Sequence, residues 1–275
     1  MPEIFISLLQ GVVQGLTEFL PVSSSGHLAL LEQVFGVEPR LYLAAALHLG
    51  TLTAVWVHYR HEIHNSIIES VAFLGVVIGR REKAGEAFAH RNGARLGAGV
   101  VIASIPTAAI GLCVAGFWEQ FAGSLFFVSI GFLVTAAMLL SMRFVPKKNN
   151  KEVTWVAALL VGFSQGMAAF PGISRSGTTI AVALALGIER RAAARFSFLI
   201  SIPAILGAVL LESRTLFTIK ESQIPSVVLG TVTAGVVGYV ALRLLLKWLD
   251  GGRLYLFYLY VLPLSLSGII WRFLS

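Results

Sequence analysis

Charge is what this chain has least of. Only 13% of its 275 residues are Asp, Glu, Lys or Arg, roughly half the share found in a soluble domain. So little charge cannot solvate the surface of a globule of this size, and a water-soluble enzyme is excluded. Cysteine is nearly absent too. The lone Cys113 lies inside an apolar run, which excludes a disulfide framework and a cysteine-held metal cluster. The start, Met1-Pro2-Glu3, has no basic segment, and the first apolar run leads into a polar motif instead of a small-residue cleavage site. No cleavable signal peptide is expected. The net charge of +7 raises nucleic acid as a partner. The basic residues flank apolar runs, however, and no aromatic–basic platform accompanies them, so none is expected.

What is present is apolar length. Apolar residues make up 56% of the chain, in runs near the roughly 20 residues that cross a bilayer as helix. The runs are 41–59, 97–117, 122–142, 194–212, 225–247 and 254–274, and they predict a multi-pass membrane protein embedded in lipid. One set of connections holds Arg60, Arg80, Arg81, Lys83, Arg91, Arg95, Arg143, Lys147, Lys148, Lys151, Arg190, Arg191, Arg195, Arg243, Lys247 and Arg253. The opposite set holds only Arg40, Arg214, Lys220 and Arg272. Cytoplasmic loops carry the excess of Lys and Arg, which puts the first set inside and both termini outside.

One unusual segment occurs twice. Residues 14–26 read Gln-Gly-Leu-Thr-Glu-Phe-Leu-Pro-Val-Ser-Ser-Ser-Gly, and residues 165–177 read Gln-Gly-Met-Ala-Ala-Phe-Pro-Gly-Ile-Ser-Arg-Ser-Gly. A single offset pairs Gln14 with Gln165, Phe19 with Phe170, Ser23 with Ser174, Ser25 with Ser176 and Gly26 with Gly177. Both copies break an apolar helical run with Pro, Ser and Gly, the pattern of a duplicated site near the bilayer midplane. The pieces on either side of each break (4–20 and 23–35; 154–170 and 174–187) include several too short or too polar to span. If all four spanned, the two motifs would lie on opposite faces. As re-entrant helix–turn–helix pairs entering from opposite sides, their tips meet.

The expected fold is therefore an all-α polytopic membrane protein forming one integral membrane domain. About six full transmembrane helices and two re-entrant segments make two inverted-topology repeats, about 1–145 and 153–275. In the long 60–95 connection the apolar 67–79 portion predicts an interfacial helix. Ser104-Ile-Pro106 and Ser201-Ile-Pro203 do not fit the repeat offset and read as proline-containing spans. The Gly and Ala pattern of 225–242 suits a homodimer contact or packing within one chain equally.

Glu18 is the sharpest residue, because a carboxylate in an apolar segment must be paired, hydrated or bound to a cation. Gln14, one turn earlier, presents an amide on the same face. Together they form an oxygen-ligand pair for Mg²⁺ or Ca²⁺, completed by water and a substrate phosphate. The structural alternative pairs Glu18 with Arg175. That guanidinium suits phosphate oxygens, with hydroxyls from Ser174, Ser176 and Thr179 beside it. Gly172 and Gly177 would let backbone N–H groups approach an anion. His27, after Ser23, Ser24, Ser25 and Gly26, is a candidate phosphoryl acceptor or acid–base group; alternatively Ser24 or Ser25 attacks and His27 takes its proton. His48, alone in an apolar run, reads as structural.

The motifs Gln14 to His27 and Pro171 to Thr179 resemble the two signatures of the bacitracin-resistance type undecaprenyl-diphosphate phosphatases, in a likeness that covers essentially the whole chain. That family accepts Glu or Gln at the position of Gln14. The resemblance implies a bacterial inner-membrane hydrolase, its site open to the outer face. It would remove the terminal phosphate of a polyprenyl diphosphate and so regenerate the lipid carrier of cell-wall synthesis, with bacitracin competing for that substrate. It implies dependence on Mg²⁺ or Ca²⁺, with Gln14 and Glu18 handling the cation. Ser24 and His27 would be the nucleophile or proton-transfer pair, and Arg175, Ser174, Ser176 and Thr179 would hold the diphosphate. The isoprenoid tail could remain in the bilayer while the head reaches the midplane laterally. The other common membrane lipid-phosphatase class needs a Lys-x₆-Arg-Pro motif and a later His-x₃-Asp pair, and the sequence has neither. A transporter or flippase of a lipid phosphate is the non-enzymatic alternative; it would need Arg175 but no nucleophile.

Overall fold

The computed structural model describes residues 3–79, 91–146 and 150–274. Arg80, Arg81, Lys83, Lys147 and Lys148, which the orientation argument counts, lie outside them. Among the described residues the architecture is all-helical apart from one isolated bridge between Lys151 and Ile188.

The first half opens with α1 (Glu3–Phe19) and α2 (Ser24–Phe35), followed by α3 (Leu41–His58), α4 (Arg60–Gly79), α5 (Asn92–Ala115) and α6 (Leu125–Ser141). The second half holds α7 (Trp155–Met167), α8 (Arg175–Ala185), α9 (Arg190–Leu211), α10 (Ile224–Asp250) and α11 (Tyr258–Leu274). Six stretches are long and apolar enough to cross a membrane, built on α3, α5, α6, α9, α10 and α11. All six coincide with the runs expected from sequence. Pro106 and Pro203 both lie inside spans, α5 and α9. The helix expected over 67–79 is longer, Arg60–Gly79: α4 begins just after α3 and packs on α5. Glu69 of α4 accepts the Gly93 and Ala94 N–H groups at 2.7 and 3.3 Å, capping the start of α5.

The helices flanking the motif turns are short for a reason. Pro21 stops α1, and Ser23 restarts the chain as an N-cap whose Oγ accepts the Gly26 N–H at 3.3 Å. In the second copy Ser174 Oγ accepts the Gly177 N–H at 3.1 Å. With 12 and 11 residues, α2 and α8 rise only about 18 and 17 Å against a hydrocarbon core of about 30 Å. Their tips touch. A Cβ on Gly26 would meet Gly172 Cα at 3.0 Å, and one on Gly177 would meet Pro21 Cβ at 3.2 Å. Tips in mutual contact fit the re-entrant arrangement.

Helix packing shows the same exchange between halves. The main partner of α1 is α10, and that of α7 is α5; α3 also lies on α10 as α9 lies on α5, while α6 and α11 pack on each other. This pairing is consistent with inverted repeats. In lipid, helices associate through close contact of small residues. Gly11 lies where a Cβ would come 2.5 Å from the Gly230 carbonyl, and Gly15 where one would come 2.9 Å from that of Ala234. The small residues of 225–242 thus pack within the chain. Around the tips Phe19, Phe132, Phe196 and Phe198 are fully buried.

Candidate active site

Glu18 is the hub of the polar centre. Its Oε1 pairs with Arg175 Nη2 across the two halves. Its Oε2 accepts hydrogen bonds from Ser24 Oγ at 2.6 Å and from Gln14 Nε2 at 3.0 Å. All four side chains come from the motif turns or the helix ends beside them. The duplication has diverged here: the offset that pairs Gln14 with Gln165 sets Ala169 opposite Glu18 and Ser24 opposite Arg175. Each half keeps one charge, and the site exists only where the two meet. Gln165, freed of a carboxylate partner, donates to the Ile200 carbonyl at 3.1 Å and serves packing.

Two orphans mark this centre. Gln14 Oε1 and Arg175 Nη1 are buried without hydrogen-bond partners. Donation of the Gln14 amide nitrogen to the carboxylate fixes which end of that amide is free. One orphan is an acceptor that suits a cation, the other a charged donor that suits an anion. Buried polar atoms without partners are rare and point to an absent ligand or water.

The remaining serines are engaged locally. Ser23 and Ser174 are helix caps, with Ser25 and Ser176 hydroxyls 3.3 and 3.4 Å from them. Gly177 uses its N–H in the Ser174 cap. Thr179 points away from Glu18: its hydroxyl bonds the Arg175 carbonyl at 2.8 Å and meets Ser197. Ser23 is also the one non-glycine residue with positive φ among the described residues, at 71°. Such strain persists only where surrounding structure enforces it. Thr135 of α6 clamps the second turn, donating to the Gly172 carbonyl and accepting the Ser174 N–H, each at 2.8 Å.

His27 does not bond Ser24. Its Nδ1 donates to the Ser23 carbonyl at 2.7 Å, which leaves Nε2 as the lone-pair nitrogen of the neutral ring. That nitrogen lies 2.8 Å from Tyr260 Oη. Tyr260 is 233 positions away in a region with no motif, so no sequence signal could have found it.

His48 lies closer to this centre than its isolation in the sequence suggests. Expected to be structural, it places Nε2 3.9 Å from Glu18 Oε2, while its Nδ1 donates to the Ala44 carbonyl at 2.8 Å. The signal was there: an imidazole inside an apolar span is costly without a polar partner.

With this geometry in view, the comparisons with known proteins decide the relationship. Residues 7–267 match the family described as Bacitracin resistance protein BacA. The chain belongs to that family. It is 40% identical over 276 residues to a protein of Desulforapulum autotrophicum named undecaprenyl-diphosphatase, covering 99% of this chain and all of the relative. A protein of the same name from Desulfosudis oleivorans is 41% identical over 90% of each chain. A third, from the archaeon Methanosphaera stadtmanae, is 39% identical over 98% of each.

Proposed function

We propose that this membrane protein hydrolyses undecaprenyl diphosphate to undecaprenyl phosphate and inorganic phosphate, recycling the cell-wall lipid carrier and so opposing bacitracin. The observation that carries the mechanism is the hydrogen bond from Ser24 Oγ to Glu18 Oε2, at a carboxylate that also holds Arg175. A hydroxyl with its proton already directed at a carboxylate is a prepared nucleophile. A carrier or flippase needs no such pair.

Ser24 Oγ attacks the terminal phosphorus as its proton passes to Glu18. The bond from that phosphorus to the bridging oxygen breaks, and the prenyl monophosphate leaves with the electron pair. Arg175 turns its forked donors to the phosphoryl oxygens, which gives its unpartnered Nη1 an acceptor. Water then attacks the seryl phosphate with His27 Nε2 as base; Ser24 leaves with the proton stored on Glu18. Phosphate departs, and His27 returns its proton to solvent. Phosphoryl transfer of this kind is chiefly positioning and charge neutralisation.

The residues fit a divalent cation. Glu18 and the unpartnered Gln14 Oε1 are hard oxygen donors of the sort that Mg²⁺ or Ca²⁺ takes. Bound there, the ion would supply positive charge against the diphosphate oxygens. Among the described residues no group of three or more His, Cys, Asp or Glu side chains could hold a metal; water and substrate phosphate would complete the shell around these two donors.

The setting is the bacterial inner membrane, with the site open to the outer face. Besides the charge asymmetry, this orientation is supported by the polar stripe of α1. Glu3, Ser7, Gln10, Gln14 and Glu18 share one helix face leading from the outer end to the tip.

The deciding experiment measures phosphate release from undecaprenyl diphosphate by purified protein, with Mg²⁺ or Ca²⁺ and with chelator. Metal-dependent release that is lost in Ser24→Ala and Arg175→Ala supports the reading. A folded wild type that releases nothing under any condition overturns it in favour of a carrier.

A further inference from the structure

Beside His27 lies a cavity of about 630 Å³ that a diphosphate does not need. Leu16, Leu20, Trp248, Leu256 and Leu259 wall it, with His27 and Tyr260 also in its lining. Leu16, Trp248, Leu256 and Leu259 are exposed at the protein surface. On a chain that spans a bilayer, exposed leucines face acyl chains, so the cavity opens sideways into lipid. Thr17, next to Glu18, also lines it. An apolar chamber thus runs from the hydrocarbon to the imidazole of His27.

The boundary between chamber and centre is one hydrogen bond. His27 Nε2 is the acceptor in the neutral ring, because Nδ1–H donates to the Ser23 carbonyl. Tyr260 Oη donates to that nitrogen at 2.8 Å, and the two rings stack with centroids 5.7 Å apart. While Tyr260 holds it, Nε2 cannot take a proton from water. Phe132 closes the other side of the imidazole, edge-on at 5.2 Å. The ring has no other side to turn to, so the group free to move is Tyr260, which is 52% exposed.

We infer that the chamber receives the prenyl segment next to the diphosphate, and that its arrival displaces Tyr260 from His27 Nε2. This rests on the phosphatase reading and adds to it a tail site and a reason for substrate choice. A cation, an arginine and a prepared serine would otherwise act on any accessible phosphoanhydride. The tail gains little by moving from lipid into an apolar chamber. Its contribution is steric: it moves the tyrosine. Tyr260 keeps its proton and exchanges one hydrogen-bond partner for another, so no bond is made or broken in the displacement. Tyr260 is a positioning residue acting through His27.

Tyr260→Phe keeps the stacked ring and removes the hydroxyl. The test compares phosphate release from farnesyl diphosphate and from tail-free methyl diphosphate. Because His27 acts in the hydrolysis of the seryl phosphate, the variant is expected to raise kcat for methyl diphosphate about tenfold, the worth of one hydrogen bond, with kcat/KM little changed, and to change farnesyl diphosphate much less. Equal loss on both substrates, or an unchanged ratio, overturns the latch. Leu259→Trp, which fills the chamber, is expected to raise KM for farnesyl diphosphate at least tenfold more than for methyl diphosphate; equal effects overturn the tail site. If wild type releases no phosphate from undecaprenyl diphosphate either, the phosphatase reading fails by itself. The tail site is then read by photolabelling with a diazirine-bearing prenyl monophosphate: labels within 16–22, at 248 or within 256–260 support it, and labels elsewhere overturn it.

Discussion

Glu18 and Arg175 hold each other while each waits for another partner. In the structure they form a buried pair, Glu18 being 7% exposed, and breaking such a pair from one side leaves a naked charge, at a cost of about 3–5 kcal/mol. Arg175→Ala should therefore lower thermal stability in detergent as well as abolish hydrolysis. The double variant Glu18→Ala/Arg175→Ala should regain much of that stability and none of the activity. A double variant no more stable than Arg175→Ala would mean that the pair is not the origin of the loss. Ser24 and Ser25 provide a sharper contrast, since only Ser24 bonds Glu18. Ser24→Ala should cut kcat about 10³-fold or more, as loss of a nucleophile does, while Ser25→Ala keeps most of it. Comparable kcat values would remove Ser24 from the nucleophile's role. Gln14 sets the charge available to a cation. Gln14→Glu should increase the stabilisation that Mg²⁺ gives, read as a larger difference in Tm with and without chelator; no change would place the ion elsewhere.

At the scale of elements, the two motif turns are held by contact between backbones. Gly26 and Gly177 sit where α2 and α8 begin, and each approaches the opposite turn to about van der Waals distance or closer. Gly26→Ala would press its methyl on Phe132 Cζ, at 2.6 Å, and on Gly172. Overpacking of this kind costs about 1–3 kcal/mol, and here it also separates Glu18 from Arg175. The expected result is a lower Tm together with a fall in kcat larger than that of Gly111→Ala, a position inside α5 with open space around it. Equal effects of the two would show that the turns do not need to touch. Much of this arrangement was legible in the sequence. Repetition gave the two turns, Pro and Ser gave their boundaries, and the unpaired charges Glu18 and Arg175 pointed to each other. What could not be read was the third dimension. His48 reaches Glu18 because α3 packs beside α1, and Tyr260 reaches His27 because α11 begins beside the first turn. An imidazole in an apolar span signals that His48 needs a polar partner but not which one, and the Tyr260 contact leaves no local pattern. The fate of repeated hydroxyls was equally hidden: Ser174 and Thr179 belong to the motif, yet a cap and a contact with Ser197 occupy them.

For the whole molecule, the charge asymmetry supports the proposed orientation, and an ion pair lies at each end. At the end proposed to face outward Arg40 is neutralised by Glu3, and Gln223 bridges Glu3 to Tyr42 at 3.0 Å each. At the other end Arg191 grips Asp250 through two bonds of 3.0 and 2.9 Å, and the excess of Lys and Arg in the connections there is what the proposed cytoplasmic side calls for. Exposed pairs of this sort contribute roughly 0–1 kcal/mol each, so they mark the ends without holding the fold. Cys113 is the only cysteine, which makes the topology directly testable. In a Cys113→Ser background, Glu38→Cys and Glu221→Cys should react with a membrane-impermeant maleimide from outside intact cells. Asn150→Cys and Gly251→Cys should react only after permeabilisation. Leu20→Cys, at the first turn, separates the two arrangements that charge counting cannot. A re-entrant α1–α2 keeps it near the midplane, so it should resist the reagent from the cytoplasmic side even after the membrane is opened. If it labels as readily as Asn150→Cys, the first turn lies in the cytoplasm and α1 and α2 span. The contact between the two turns would then be impossible in a bilayer, and with it the site that joins Glu18 to Arg175.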